Sequence, residues 1–186
     1  MSNLHDKYVF QALDAYPYNL EEAVESLSYA LSYDDKNPVA LCLMGQICAE
    51  KLSNYETAKE YYQRALAEDM YALNVYPNYI NVLLWNEDYD EATKLIDFAL
   101  TLKGTDKAVL YFLKGILFEQ QKKYKKALAV LKLAKEHAYN NYFISDLEQN
   151  KKRVKDKMPK KKKNKNSKKS KNSKKNTNKK AKKKKK

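Results

Sequence analysis

The stretch YETAKEYYQRALAEDM (55–70) decides the fold. Its Ala58, Tyr62, Ala65 and Leu66 fall at i, i+4, i+7 and i+8, one stripe along a helix. Three other stretches align with it: LEEAVESLSYALSYDD (20–35), YDEATKLIDFALTLKG (89–104) and YKKALAVLKLAKEHAY (124–139). Each carries an alanine pair seven residues apart, Ala23/Ala30, Ala58/Ala65, Ala92/Ala99 and Ala127/Ala134. Successive pairs are separated by 35, 34 and 35 residues. Helical spacing inside a unit of about 34 residues is the signature of a stacked array of helix hairpins. The alanines predict close helix contact, because a larger side chain there would push a hairpin open.

A first helix precedes each of these second helices, at roughly 2–15, 38–52, 73–86 and 107–121. Gly45 and Gly115 lie inside the second and fourth of them. A glycine in mid-helix costs about 1 kcal/mol against alanine, and close packing is the reason to keep it. Asn19, Asn54 and Asp88 each stand four residues before the first alanine of a pair, where an N-cap belongs. Glu22 and Glu91 have the spacing of a capping box, and Gly104 that of a C-cap. Pro38 suits a helix start, and Pro77 a first turn beginning near Tyr76.

These features resemble the tetratricopeptide repeat family over about residues 4–138, four repeats. The second helices carry the likeness, with Leu20, Tyr55, Tyr89 or Tyr124 and both alanines in each. Gly45 and Gly115 match the small residue of the first helix, where Gln11 and Ile80 stand in the first and third units. The second unit has one extra residue before Asn54. The resemblance implies an all-α fold, a right-handed superhelical array of antiparallel helix hairpins, and implies that the first helices line a concave groove holding a peptide or a helix. The lining residues would include Tyr8, Ala12, Cys42, Gln46, Asn78, Asn81, Trp85, Phe112, Ile116 and Glu119. Asn78, Asn81 and Trp85 share a face at i, i+3 and i+7. An asparagine pair can bind a peptide backbone through donor and acceptor alike, and Trp85 can anchor a side chain. One subtype of the family grips the terminal carboxylate of chaperone tails with cations. Here Pro77, Val109 and Leu113 occupy those places, so no such clamp is expected.

Charge divides the chain. Residues 1–150 hold 15 Lys+Arg against 22 Asp+Glu, a net of −7, whereas 151–186 hold 22 against the single Asp156, a net of +21. An acidic body and a basic tail ask for different partners. The hairpins are assigned to 1–138. Residues 139–158, with Tyr142, Phe143, Ile144 and Leu147, read as a capping helix that covers the last apolar face. Residues 159–186 are expected to be disordered, because past Pro159 only Lys, Asn, Ser, Thr and Ala remain.

Such a tail is a polycation for RNA, DNA, an anionic lipid surface or an acidic protein. Candidate polyanion contacts are Lys122, Lys123, Lys125 and Lys126 at the start of the eighth helix, Lys151, Lys152 and Arg153, and Lys160, Lys161, Lys162 and Lys163. The lysine cluster at a helix start opposes the helix dipole. Lysine lacks the bidentate fork that reads guanine, and the tail has no aromatic residue to stack on bases. Binding to nucleic acid would therefore be driven by phosphate and blind to sequence, with RNA or the ribosome the foremost polyanion. Three other readings stand beside it. The tail could fold back on the acidic body, PKKKKNK (159–165) resembles a nuclear import signal if the host is eukaryotic, and lysine with asparagine could reflect adenine-rich codons.

No cofactor and no catalysis are expected. His5 and His137 are isolated, Cys42 and Cys48 fit no Cys-x-x-Cys pattern, and Gly45, Gly104 and Gly115 make no phosphate loop. Cys42 and Cys48 sit six apart on one helix and diverge, which predicts two small buried residues rather than a disulfide. The opening MSNLHDKYVF shows neither the apolar run nor the cleavage site of a signal peptide, and no segment reaches the length of a membrane span. A cytoplasmic location is expected. The expectation is a non-catalytic adaptor, its groove holding a protein partner and its tail tethering the pair to a polyanion; the alternative is a general repeat scaffold whose tail serves solubility, self-inhibition of the acidic body or, in a eukaryote, nuclear import.

Overall fold

The computed structural model of the chain describes residues 4–159, with side chains from Lys7 onward. Among the described residues there are nine α-helices and no strand. They are α1 (Leu4–Ala15), α2 (Leu20–Tyr33), α3 (Pro38–Glu50), α4 (Tyr55–Glu68), α5 (Val75–Trp85), α6 (Tyr89–Ala99), α7 (Lys107–Gln120), α8 (Tyr124–His137) and α9 (Asn141–Lys157). The hairpins α1–α2, α3–α4, α5–α6 and α7–α8 follow one another, and Met1–Asp156 make one compact unit. The residues beyond Pro159, including those expected to be a disordered tail, lie outside the described residues.

The eight paired alanines are all fully buried. In the second and fourth units a glycine of the first helix sits against the second helix. A Cβ added at Gly45 would come within 3.1 Å of the Tyr62 ring and 3.3 Å of the Ala58 carbonyl oxygen. At Gly115 it would lie 2.7 Å from Leu131 Cδ2 and 2.8 Å from its Cγ. Glycine is there because the helices leave no room for a Cβ. In the first unit the small residue is Ala12, buried with Ala23 and Leu27 in one cluster, and not the exposed Gln11. The sequence register of α1 is therefore shifted by one.

The hairpin turns explain the shift. Ser53, Glu87 and Lys122, each one residue before its N-cap, have φ of 51°, 61° and 58°. These three turns share one left-handed step. The first turn is built differently, around a cis Tyr16–Pro17 peptide. Eleven residues separate Ala12 from Ala23, against thirteen from Gly45 to Ala58 and twelve from Gly115 to Ala127.

A second stripe on each first helix packs against the preceding unit. It lies five before, two before and two after the small residue. In α3 it is Ala40, Leu43 and Ile47, which join the cluster of Val9, Ala12, Ala23 and Leu27. In α5 it is Val75, Asn78 and Val82, and in α7 Leu110, Leu113 and Leu117. Except for half-buried Asn78, these residues join one central cluster with Leu41, Tyr62, Ala65, Ile96 and Ala99. Burial of this kind stabilises by about 25 cal/mol per Å² of apolar surface, so the apolar members of the stripe contribute to each interface between units.

The caps hold in part. Asn19 Oδ1 accepts from the Glu22 N–H at 3.3 Å, and Asn54 Oδ1 from the Thr57 N–H at 3.2 Å. Asn37 caps α3 through Val39 and Ala40, with Pro38 in first place. Asp88 stands at the N-cap of α6 but makes no cap bond. Its carboxylate accepts instead from Lys59 Nζ at 2.8 Å and Asn86 Nδ2 at 2.8 Å, which ties α6 to the preceding hairpin. Those bonds hold the Asp88 carboxyl below its usual range and push the Lys59 ammonium above its own. Neither capping box forms. Glu22 accepts from the side chains of Gln11 and Asn19, and Glu91 from the Tyr79 hydroxyl at 2.5 Å. Gly104 is not a C-cap, since α6 ends at Ala99. It sits in the following turn with φ +87°, where a Cβ would meet Leu73 Cδ1 at 3.1 Å.

Helix α9 closes the end of the array. Leu147 and Val154 are fully buried with Ala127, Leu131 and Ala134 of α8. Phe143 meets Phe112 edge-on at 5.7 Å, and Arg153 donates to Glu119 at 2.7 Å. Lys135 and Lys151 both bond Glu148, and together hold its carboxyl down to about 2.

Candidate peptide-binding groove

The position held by Ala12, Gly45, Ile80 and Gly115 faces its own second helix, and the three-residue stripe of α3, α5 and α7 faces the preceding unit. The residue after the small one is turned about 100° from the first direction and faces neither. These residues are Leu13, Gln46, Asn81 and Ile116. Residues four before and four after extend the same face, giving Cys42, Gln46 and Glu50 on α3, and Pro77, Asn81 and Trp85 on α5. Leu13 and Val39 are exposed on this side, and Trp85 is 47% exposed. The face mixes apolar surface with amides and one acid.

The structure sorts the candidates into three groups. Gln46, Asn81, Trp85 and Ile116 stand on this face with surface to offer. Cys42 lies on it but is buried. Asn74 and Asn78 point their Nδ2 atoms at its sulfur from 3.9 and 3.7 Å, and burial pushes its thiol pKa up. Asn78 is thus engaged between α5 and α3, and Asn81 with Trp85 is what remains of the three-residue face. Tyr8 and Ala12 do not line it. Tyr8 stacks on Tyr29 and Tyr33 of α2, with ring centroids 5.3 and 6.1 Å away, and Ala12 is the buried small residue. Both follow from the one-residue shift of α1. Phe112 and Glu119 are taken by α9, through Phe143 and Arg153, and Glu119 is only 8% exposed.

Besides Val39 and Pro77, two members of the face are missed by counting back from the alanines. Leu13 takes the place that count gave to Ala12. Glu50 is the other, accepting from the Tyr16 hydroxyl at 2.5 Å and from Gln46 Nε2 at 3.0 Å. Burial and then Glu50 raise the Tyr16 pKa, so the phenol stays a donor. This chain of bonds fixes Gln46 between the first two units. The signal for Leu13 was present, because Ala12 is the one small residue in α1 that falls opposite Ala23. Trp85 itself leans on Tyr55 of the preceding unit, with centroids 6.1 Å apart at 44°.

The basic candidates are dispersed. Lys122, Lys123, Lys125 and Lys126 are exposed around the start of α8, which has no side-chain cap. Lys123 donates to Gln121, and Lys126 lies over the Phe118 ring. On α9, Lys151 and Arg153 are spent on Glu148 and Glu119, while Lys152 is exposed. Lys160, Lys161, Lys162 and Lys163 lie outside the described residues. No group of three or more metal-ligating side chains occurs among the described residues. No helix among them is long and apolar enough to cross a membrane.

Solved structures share this arrangement. PilF of Pseudomonas aeruginosa matches with a TM-score of 0.67 over 82% of this chain and 73% of its own, at 22% identity. PilW, a widely conserved type IV pilus biogenesis factor, matches at 0.64 over 86% of this chain and 81% of its own, at 17% identity. A tetratricopeptide repeat protein from Parabacteroides merdae gives 0.61 over 80% of this chain and 58% of its own, at 19% identity. No family model matches the sequence, and a search of the curated proteins gives no match. The chain has a tetratricopeptide-repeat-like fold, four hairpins and a closing helix.

Proposed function

We propose that this chain is a non-catalytic adaptor whose first helices hold a segment of a partner protein while the basic C-terminal residues tether the pair to a polyanion. One observation carries the first half. The only tryptophan, Trp85, is half-exposed on this face, in line with Asn81 and leaning on Tyr55 of the preceding unit. Amides that donate and accept can bind a peptide backbone, and a half-exposed aromatic residue supplies the anchor. The net of +21 over residues 151–186 supports the second half. RNA, free or in the ribosome, is the polyanion favoured, because phosphate density suits lysine point charges.

The two halves are tested separately. Single-stranded RNA of mixed sequence is titrated against the intact chain and against a chain truncated after Met158. The intact chain should bind with little regard to sequence. If about six to ten phosphates are engaged, its affinity should fall roughly 10³–10⁵-fold between 50 and 200 mM salt. Equal binding by the truncated chain defeats the tether. Affinity capture with nuclease present, comparing the wild type with Asn81→Ala/Trp85→Ala, tests the groove. Proteins retained equally by both chains would show that this face is not the binding surface.

A further inference from the structure

The outward face of α1 is the stripe that α3 and α7 bury, and that α5 buries except at half-buried Asn78. Its members are Lys7, Phe10 and Asp14, five before, two before and two after Ala12. The matching residues are Ala40, Leu43 and Ile47 in α3, and Leu110, Leu113 and Leu117 in α7, all buried. Phe10 is 64% exposed in the place where Leu43 is 5% exposed. Around it Lys7, Gln11, Asp14, Ala15 and Glu22 line an open cleft of about 670 Å³. Neither Lys7 nor Asp14 has an ion-pair partner among the described residues.

The order of charges makes this face complementary to itself. Lys7 stands at one end and Phe10 near the middle. Asp14 stands at the other end, where Glu22 of α2 adds a second carboxylate, held by Gln11 and Asn19. A two-fold axis near Phe10 sets α1 antiparallel to its copy. It brings Phe10 against Phe10, and Lys7 of each chain against the acidic end of the other. A self-complementary patch of this kind is what an isologous dimer requires. We propose that α1 is the homodimer interface of this protein, formed through Lys7, Phe10 and Asp14. The second copy takes the place that a preceding repeat fills elsewhere in the array. One helix face buries little area, below the roughly 1,200 Å² of standard interfaces, so the dimer is of the weak, reversible class.

Sedimentation equilibrium of the full chain, at 150 mM salt and from 5 µM to 1 mM, tests this. The wild type should pass from monomer to dimer within that range. Phe10→Glu should remain monomeric with an unchanged helical circular dichroism signal, since the residue is exposed. Lys7→Glu leaves only carboxylates as the charges of the face, and Asp14→Lys puts a lysine at each end of the α1 stripe. Each alone should weaken dimerisation on the order of five- to thirtyfold. Mixed one to one, the two variants should recover wild-type association as a heterodimer. A wild type monomeric at 1 mM overturns the proposal. So does a dimer indifferent to Phe10→Glu, which would lie on another surface. Loss of dimer in Phe10→Glu with no effect of either charge reversal overturns the antiparallel register.

Discussion

The two ends of the array solve one problem in different ways. At the α8 end, apolar side chains are covered by Leu147 and Val154 of α9, both fully buried. At the α1 end nothing among the described residues covers the stripe, and two of its three positions have become charged. Phe10 alone keeps the apolar character of the pattern. The comparison teaches that burial in a repeat array belongs to the interface between layers and not to the residue type. The same helical position is core in α3 and surface in α1.

Truncation at the two ends should separate them most widely. Leu147→Ala removes a fully buried side chain and should destabilise by about 2–5 kcal/mol. Phe10→Ala should change monomer stability by less than about 0.5 kcal/mol. Urea unfolding followed by circular dichroism measures both, and equal losses would break the contrast. Next in size is Gly115→Val. Its Cβ would fall 2.7 Å from Leu131, so overpacking should cost about 1–3 kcal/mol by the same measurement.

Helix caps come third. Asn54→Ala removes a formed cap and should lose about 1 kcal/mol, whereas Lys123→Asn supplies α8 with one it lacks and should gain a similar amount. Thermal melts of the two variants give the sign directly. The smallest effect is electrostatic. The Glu148 carboxyl is depressed to about 2 from 4.5, so its contribution is complete above pH 4.5 and is lost as pH falls from there toward 2. Glu148 and Lys135 are about half exposed, so water screens the effect. Melting temperatures of wild type and Glu148→Gln should differ at pH 6 and converge by pH 2. A constant difference across that range would remove Glu148 from the anchoring of α9.

The α4 stretch and its three counterparts needed no tertiary information. Alanines seven apart mark a face, and all eight were found buried. Gly45 and Gly115 were readable for the same reason, as gaps cut for Tyr62 and Leu131. The caps were less readable. An Asp at a helix start reads as a cap from its position alone, yet Lys59, 29 residues away, takes the Asp88 carboxylate. Phe112 and Glu119 read as lining residues until α9 is placed beside them. Tyr8 and Ala12 failed through counting, because the first turn brings Ala12 and Ala23 closer in sequence than their counterparts.

The order of residues carries a row of helix pairs with a period of about 34, because helical spacing is local and repeats in each unit. It also shows where charge divides the chain. Packing sets which side of each first helix meets solvent, which carboxylates cap and which make ties between units, and what α9 covers. One residue of turn length rotates the whole preceding helix by about 100°, and that is a property of the packed pair, not of either helix alone.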